Sequence, residues 1–143
     1  MKITQISVFL ENRSGRLYDV CMLLGENGIN IRALNVAETE SFGVLRMVVS
    51  DSAAAVKALK DGGFVANITE VVAVEVSDKP GGLAVILKAL SDEDIDVEYM
   101  YGFVEKETNK ALMVFRFENI DEAVEVLNNN EIKIATKEEI EGL

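Results

Sequence analysis

The sequence predicts an α+β protein built from two β-α-β-β-α-β units in tandem. Three observations lead there. The chain repeats itself once, at an interval of 66 to 68 residues. Each copy runs through strand-like and helix-like hydrophobic periods in the same order. Each copy also opens its first helix on a glycine turn that follows a strand.

The repeat is read residue against residue. Asn12-Arg13-Ser14-Gly15-Arg16-Leu17 aligns with Asp78-Lys79-Pro80-Gly81-Gly82-Leu83 at an offset of 66. The same offset pairs Leu24 with Leu90, Ile29 with Ile95, Asn30 with Asp96 and Ile31 with Val97. After a two-residue insertion near 105–110, an offset of 68 pairs Val44 with Leu112, Met47 with Phe115 and Leu59 with Leu127. Two domains follow, 1–68 and 69–143. Either alone is marginal, because small domains bury a small share of their surface. The junction near 67–70 has no Pro/Gly/Ser linker, so tight coupling is expected.

The elements follow in order. Residues 3–10 carry apolar Ile3, Ile6, Val8 and Leu10, a strand pattern with one irregularity at Thr4-Gln5. Ser14 is a plausible N-cap, and Gly15 opens a helix. Leu17, Val20, Cys21 and Leu24 share one helical face, and Gly25 and Gly28 end it. Strands are expected at 30–37 and 44–49 around a turn at 40–43. A second helix spans 52–60, capped by Asp51 or Ser52 and stopped by Gly62-Gly63. Residues 64–68 form a short fourth strand. The second unit repeats this with a strand at 71–76 and a helical stripe of Leu83, Ile86, Leu87 and Leu90. A hairpin at 96–104 and 111–117 turns at 107–109, followed by a helix at 121–127 and a last strand at 131–135. This order is the ferredoxin-like arrangement, a four-stranded antiparallel sheet with both helices on one face. Apolar residues at many strand positions imply that the other face is also partly covered, by the twin domain or by another chain.

Composition bounds the chemistry. The chain has 143 residues, 49% hydrophobic and 27% charged, which is ample core material for a folded domain. No apolar run is long enough to span a membrane. Residues 1–5 lack the apolar stretch of a secretory leader, and a cytoplasmic location is expected. There is no histidine, so Ser-His and Cys-His catalysis and histidine metal ligation are excluded. The single cysteine, Cys21, permits neither an intrachain disulfide nor a thiolate cage, and its place on the helical stripe reads as a buried small hydrophobe. Residues 1–68 hold 7 basic and 7 acidic side chains, while 69–143 hold 7 and 18, so the net charge of −11 sits in the second half. Such a surface repels a phosphate backbone, and nucleic-acid binding is not expected. No metal site or cofactor is implied: Asp92-Glu93-Asp94 lacks calcium-loop spacing and reads as a solvated helix end.

The repeated turn is the chemically suggestive feature. Glycine there permits positive φ, and the turn delivers N–H groups at a helix N-terminus, which favours an anion. Pro80 suits the first turn of a helix. Asn30 and Asp96 begin the second strand of each unit, which this topology can bring beside the turn. Backbone amides at Gly15, or at Gly81, Gly82 and Leu83, combined with Asn30 or Asp96, suit the carboxylate and ammonium of a free amino acid. A plain tight turn with an Asn, Asp or Ser cap accounts for the same residues. Arg13 and Arg16 can pair with a carboxylate or lie on the surface. Tyr99 and Tyr101 can line a pocket or pack against a partner sheet.

Asp78-Lys79-Pro80-Gly81-Gly82-Leu83, a dozen residues before Ile95-Asp96-Val97, resembles the ACT domain signature. The first unit resembles it too, with Ser14 where proline is usual. With Glu98-Tyr99-Met100-Tyr101-Gly102-Phe103-Val104, the likeness covers about 135 residues and extends to the small stand-alone tandem ACT proteins. The resemblance implies a non-catalytic regulatory protein that binds a small metabolite, most often an amino acid, at an interface between ACT domains. It implies ligand contacts at Asn12, Ser14, Gly15, Arg16, Leu17, Asn30 and Ile31, and at Asp78, Pro80, Gly81, Gly82, Leu83, Asp96 and Val97. A homodimer and an enzyme partner are expected. The alternative is a partner-docking subunit without its own ligand, of the acetolactate synthase type. An acylphosphatase-like enzyme shares the fold, a turn arginine and an asparagine, and nothing else in the motif matches it.

Overall fold

A computed structural model describes residues 1–11, 14–38, 42–104 and 110–143. The chain runs β1 (Ile3–Glu11), α1 (Arg16–Glu26), β2 (Ile31–Glu38), β3 (Phe42–Val49), α2 (Ser52–Asp61), β4 (Val65–Ser77), α3 (Gly82–Asp92), β5 (Val97–Gly102), β6 (Lys110–Phe117), α4 (Ile120–Asn129) and α5 (Lys137–Glu141). Two compact units emerge: Thr4–Thr69 with Gly142, and Glu70–Glu141 with Met1–Ile3 and Leu143. The fold is α+β, with the two βαββαβ repeats that the sequence predicts.

In the N-terminal unit the strands lie in the order β2-β3-β1-β4. Ile6, Val8 and Leu10 of β1 stand opposite Met47, Leu45 and Gly43 of β3, which fixes one apolar face. Val20 and Leu24 of α1 and Ala55 and Leu59 of α2 close that face into a core. In the C-terminal unit the order is β4-β6-β5. Val72, Val74 and Val76 there pack with Phe115 and Phe117 under Ile86 and Leu90 of α3 and Ala123 and Leu127 of α4.

Several expectations change. The strands predicted at 64–68 and 71–76 are one thirteen-residue strand, β4. Residues 65–77 contain no glycine or proline, and Val65, Ile68, Thr69, Val71, Val72, Val74 and Val76 are β-branched, so nothing interrupts the extended backbone. The predicted last strand at 131–135 is reduced to one bridge, Ile134 against Val74, flanked by Glu75 N–H to Lys133 and Ala135 N–H to Ala73 carbonyl bonds. A short helix, α5, follows and was not expected. The turn predicted at 107–109 lies outside the described residues, as do 40 and 41 of the turn at 40–43; Phe42 and Gly43 already belong to β3.

The helix caps divide into two kinds. Asp51 caps α2 by accepting from the Ala54 N–H at 3.1 Å, and Asn119 caps α4 by accepting from the Glu122 N–H at 3.1 Å. The helices α1 and α3 have no side-chain cap and start on left-handed Gly15 (φ 88°) and Gly81 (φ 81°). Ser14 is therefore not the N-cap, and Pro80 sits just before the cap rather than in the first helical turn. On α1 the buried residues are Val20 and Leu24, whereas Leu17 and Cys21 are exposed. The predicted burial of Cys21 is thus corrected: the helix packs on the core through its 20/24 side, and its 17/21 flank is exposed.

Part of the face opposite the helices is buried as well. In the C-terminal unit Ala73, Val114 and Tyr101 stand in one cross-strand row opposite the helical core, and all three are buried. Tyr101 is thereby a packing residue.

At the C-terminus, Thr136 and Glu139 bracket the start of α5: the Glu139 N–H donates to Thr136 Oγ1 at 3.2 Å, and Glu139 pairs with Lys133 at 3.3 Å. The Thr136 backbone hydrogen bond and then the Lys133 ammonium hold the Glu139 carboxyl below its ordinary pKa. A carboxylate favoured in the folded state stabilises above its unfolded pKa, and that contribution fades as pH falls through the lowered folded value. Acidification below the carboxylate range should therefore loosen α5 first, read from its amide chemical shifts, and Glu139→Gln should remove that pH dependence. A second prediction concerns backbone freedom. Gly81→Ala meets open space but keeps a left-handed φ, so it should destabilise by about 1 kcal/mol in a denaturant melt. Gly25→Ala, inside α1 with open space around it, should stabilise by about 0.5 kcal/mol.

Candidate functional site

The strand-to-helix turn of each unit follows from the same local chemistry. The apolar strand must reverse into a helix that lies back across it, and a left-handed residue makes that reversal in one step. Only glycine adopts it without a Cβ penalty, hence Gly15 and Gly81. In the second copy the approach is closer still: a Cβ on Gly82 would collide with the Ser77 carbonyl oxygen, so the first turn of α3 rests against the end of β4.

In the first unit Ser14 is exposed in the turn and Leu17 is exposed on α1. Asn12 and Arg13 lie outside the described residues. Arg16 is half-buried, with its guanidinium 4.3 Å from the Phe64 ring centroid and Nη1 3.4 Å from Asp19 Oδ2. Leu10, Glu11, Arg16, Leu17, Val36 and Glu38 line a cavity of about 120 Å³ at this end of the sheet. In the second unit Asp78 and Pro80 are exposed, Gly82 is buried, and Leu83 packs against the core.

Strand register shows which predicted residues meet. Leu10 stands opposite Gly43, and Gly43 opposite Glu38, so the turn is level with the end of β2. Ile31 stands opposite Val49 at the other end of β3. Six residues separate Gly43 from Val49, roughly 20 Å at about 3.4 Å per residue. Asn30 sits there too, its N–H donating to Ser50 Oγ at 3.0 Å. The second unit is alike: Ser77 pairs with Lys110, whereas Val97 pairs with Phe117. Within one unit, then, the turn residues come together, and Asn30, Ile31, Asp96 and Val97 lie at the opposite end of the sheet. The sequence expectation that the second strand begins beside the turn does not hold within a unit, because the helix carries the chain back along the strand before β2 or β5 begins.

Asp96 lines a different cavity, of about 580 Å³, with Asp94, Glu118, Asn119, Asp121 and Glu122. Asp121 is engaged by Lys2 at 2.9 Å, and that hydrogen bond raises the Lys2 pKa. Among the described residues no cluster of carboxylates and thiols could hold a metal ion. Among the described residues no helix is long and apolar enough to cross a membrane.

A third cavity, of about 380 Å³, was not foreseen. It lies between the end of β4, the first turns of α3 and residues 131–133, and Glu75, Lys79, Gly82, Lys110 and Lys133 are on its wall. The signal that could have found it is a comparison of the two copies: Glu75, Gly82 and Lys110 replace Phe9, Arg16 and Phe42.

Comparison with known proteins agrees with this architecture. A structure of protein BT0572 from Bacteroides thetaiotaomicron is similar at 42% identity, with a TM-score of 0.93, over 100% of this chain and 98% of that one. The ligand-free regulatory subunit of aspartate kinase from Thermus thermophilus shares the fold at 17% identity and a TM-score of 0.64, over 89% and 91% of the two chains. That from Thermus flavus does so at 16% and 0.60, over 90% and 92%. No curated protein matches the chain in sequence. The family model for an ACT domain pair matches residues 1–143 from end to end, and the chain belongs to that family.

Proposed function

We propose that this chain is a non-catalytic regulatory protein that binds a small metabolite, an amino acid, at an interface between ACT domains. The observation that carries the reading is the pair of uncapped helices. In both units α1 and α3 begin on a left-handed glycine with no side-chain cap, while α2 and α4 are capped from within. An uncapped helix N-terminus presents N–H groups and the positive end of the helix dipole, and a carboxylate is their natural acceptor; the expected Gly82 donor of α3 is the exception, its N–H being given to the Lys79 carbonyl at 3.0 Å. The ammonium of the ligand then needs oxygen acceptors, which Asn30 or Asp96 offers.

Those acceptors lie about 20 Å from the turn of their own unit, by the rise of roughly 3.4 Å per residue. A ligand touching both kinds of residue is therefore shared between two ACT units, and its side chain fills the space where they meet. The exposed apolar flank of Leu17 and Cys21 beside edge residues Leu34 and Val36 suits docking of a second copy of the chain as a homodimer. Because binding bridges two bodies, it biases how they dock, and that bias passes the signal to an enzyme partner.

The test is a thermal-shift screen against the twenty amino acids. One or two should raise the midpoint, equivalent to about 2.7 kcal/mol at a hundred times the dissociation constant. Asn30→Ala or Asp96→Ala should abolish the shift without lowering the ligand-free midpoint, and show which unit supplies the acceptor. No shift with any of them moves the reading to a subunit that docks on an enzyme without a ligand of its own.

A further inference from the structure

We propose that a second copy of the chain docks on the outer stripe of α1, the two α1 helices lying antiparallel across a two-fold axis between Cys21 and Met22. This rests on the homodimer reading above and names the surfaces that meet. Leu17, Tyr18, Cys21, Met22 and Gly25 follow one another at offsets of one, four, five and eight residues, which puts them on one face of the helix. All five are exposed, Tyr18 by 67%, while Val20 and Leu24 on the other side fill the core.

The fold does not require such a stripe. The second unit is the control, because α3 packs on its sheet in the same way. The matched residues there are Leu83, Ala84, Leu87, Lys88 and Ser91. The two leucines are half-buried against the core. The exposed positions hold a methyl group, an ammonium paired with Asp92 at 2.7 Å and a hydroxyl. At these places α1 instead turns a tyrosine and a methionine outward. A contiguous exposed apolar patch marks a surface that another molecule covers.

Three features make the cover a second copy of the chain. The stripe is self-complementary about its centre. A two-fold axis between residues 21 and 22 sets Tyr18 opposite Gly25 of the second copy, and Cys21 opposite its Met22. At both ends of the contact a ring then enters the gap over a glycine, as ridges enter grooves. Such an interface is isologous, one surface serving both copies. Charge agrees. Residues 1–68 hold 7 basic and 7 acidic side chains, whereas 69–143 hold 7 and 18, so two copies meet without net repulsion through their first units. The helix dipole agrees too. α1 has no basic residue in its last turn and ends on Glu26, which its own dipole disfavours. In the antiparallel pair Glu26 comes level with the first turn of the other α1, whose positive end favours it.

Sedimentation of the full chain across micromolar concentrations, with cross-linking of the native Cys21, tests the pairing. The mass should be that of two chains. A bismaleimide spanning about 10 Å, the separation of two packed helices, should join them through Cys21, the single thiol. Met22→Glu should raise the dimer dissociation constant at least about tenfold and remove the cross-link, because it buries a carboxylate without a partner. Gly25→Gln should do the same by filling the gap under Tyr18, although its Cβ meets open space in the single chain. Val85→Glu, at a 66% exposed position of α3, should change neither readout. Circular dichroism should show all three variants folded. A dimer that Met22→Glu leaves intact, a dimer whose Cys21 thiols do not cross-link, or equal weakening by Val85→Glu overturns the α1 pairing and leaves the homodimer reading standing. A single-chain mass overturns both, and the amino-acid thermal shifts remain a separate readout of ligand binding.

Discussion

The left-handed glycine between first strand and first helix governs each unit. It reverses the chain in one residue, so α1 and α3 return across the strands they follow. Val20 and Leu24, and Ile86 and Leu90, land on the apolar faces of their sheets for that reason. The same reversal leaves a helix N-terminus uncapped and carries Asn30 and Asp96 to the far end of the sheet. Packing, the open helix terminus and the separation of candidate ligand contacts are thus three consequences of one backbone constraint.

Duplication let the two copies diverge around this shared frame. The first retains an aromatic pair and an arginine stacked on Phe64. The second exchanges them for a glycine and an ion-paired ring, and gathers the acidic surplus elsewhere, including the wall shared by Asp94, Asp96 and Glu118. The core positions stay apolar in both copies while trading sizes, as where Phe115 and Phe117 stand for Met47 and Val49, since both must fill the space beneath two helices. Surface and rim positions carry the difference.

Much of this was legible in the sequence. The repeat gave both units, and hydrophobic period gave all four long helices and most strands, because buried faces must recur at 3.6 or 2 residues. The glycine turns were readable because few residues accept positive φ. What failed had physical causes. Cys21 lies on a helical stripe, but a stripe does not say where the sheet beneath it ends. The 64–68 and 71–76 strands merged because composition marks breaks only through glycine, proline and polar clusters, and none was there. The distance from turn to Asn30 depends on chain direction and register, which local pattern does not contain. The lysine-lined cavity assembles from residues 75, 79, 110 and 133, far apart in the chain.

The most direct measurement is an amide-resolved magnetic resonance titration of the ¹⁵N-labelled chain with individual amino acids. The account predicts saturable shifts at the turn amides, Gly15 and Leu17 or Gly81, Gly82 and Leu83, together with Asn30 or Asp96. Turn amides that stay unmoved by every amino acid, or shifts confined to other parts of the chain, would contradict it.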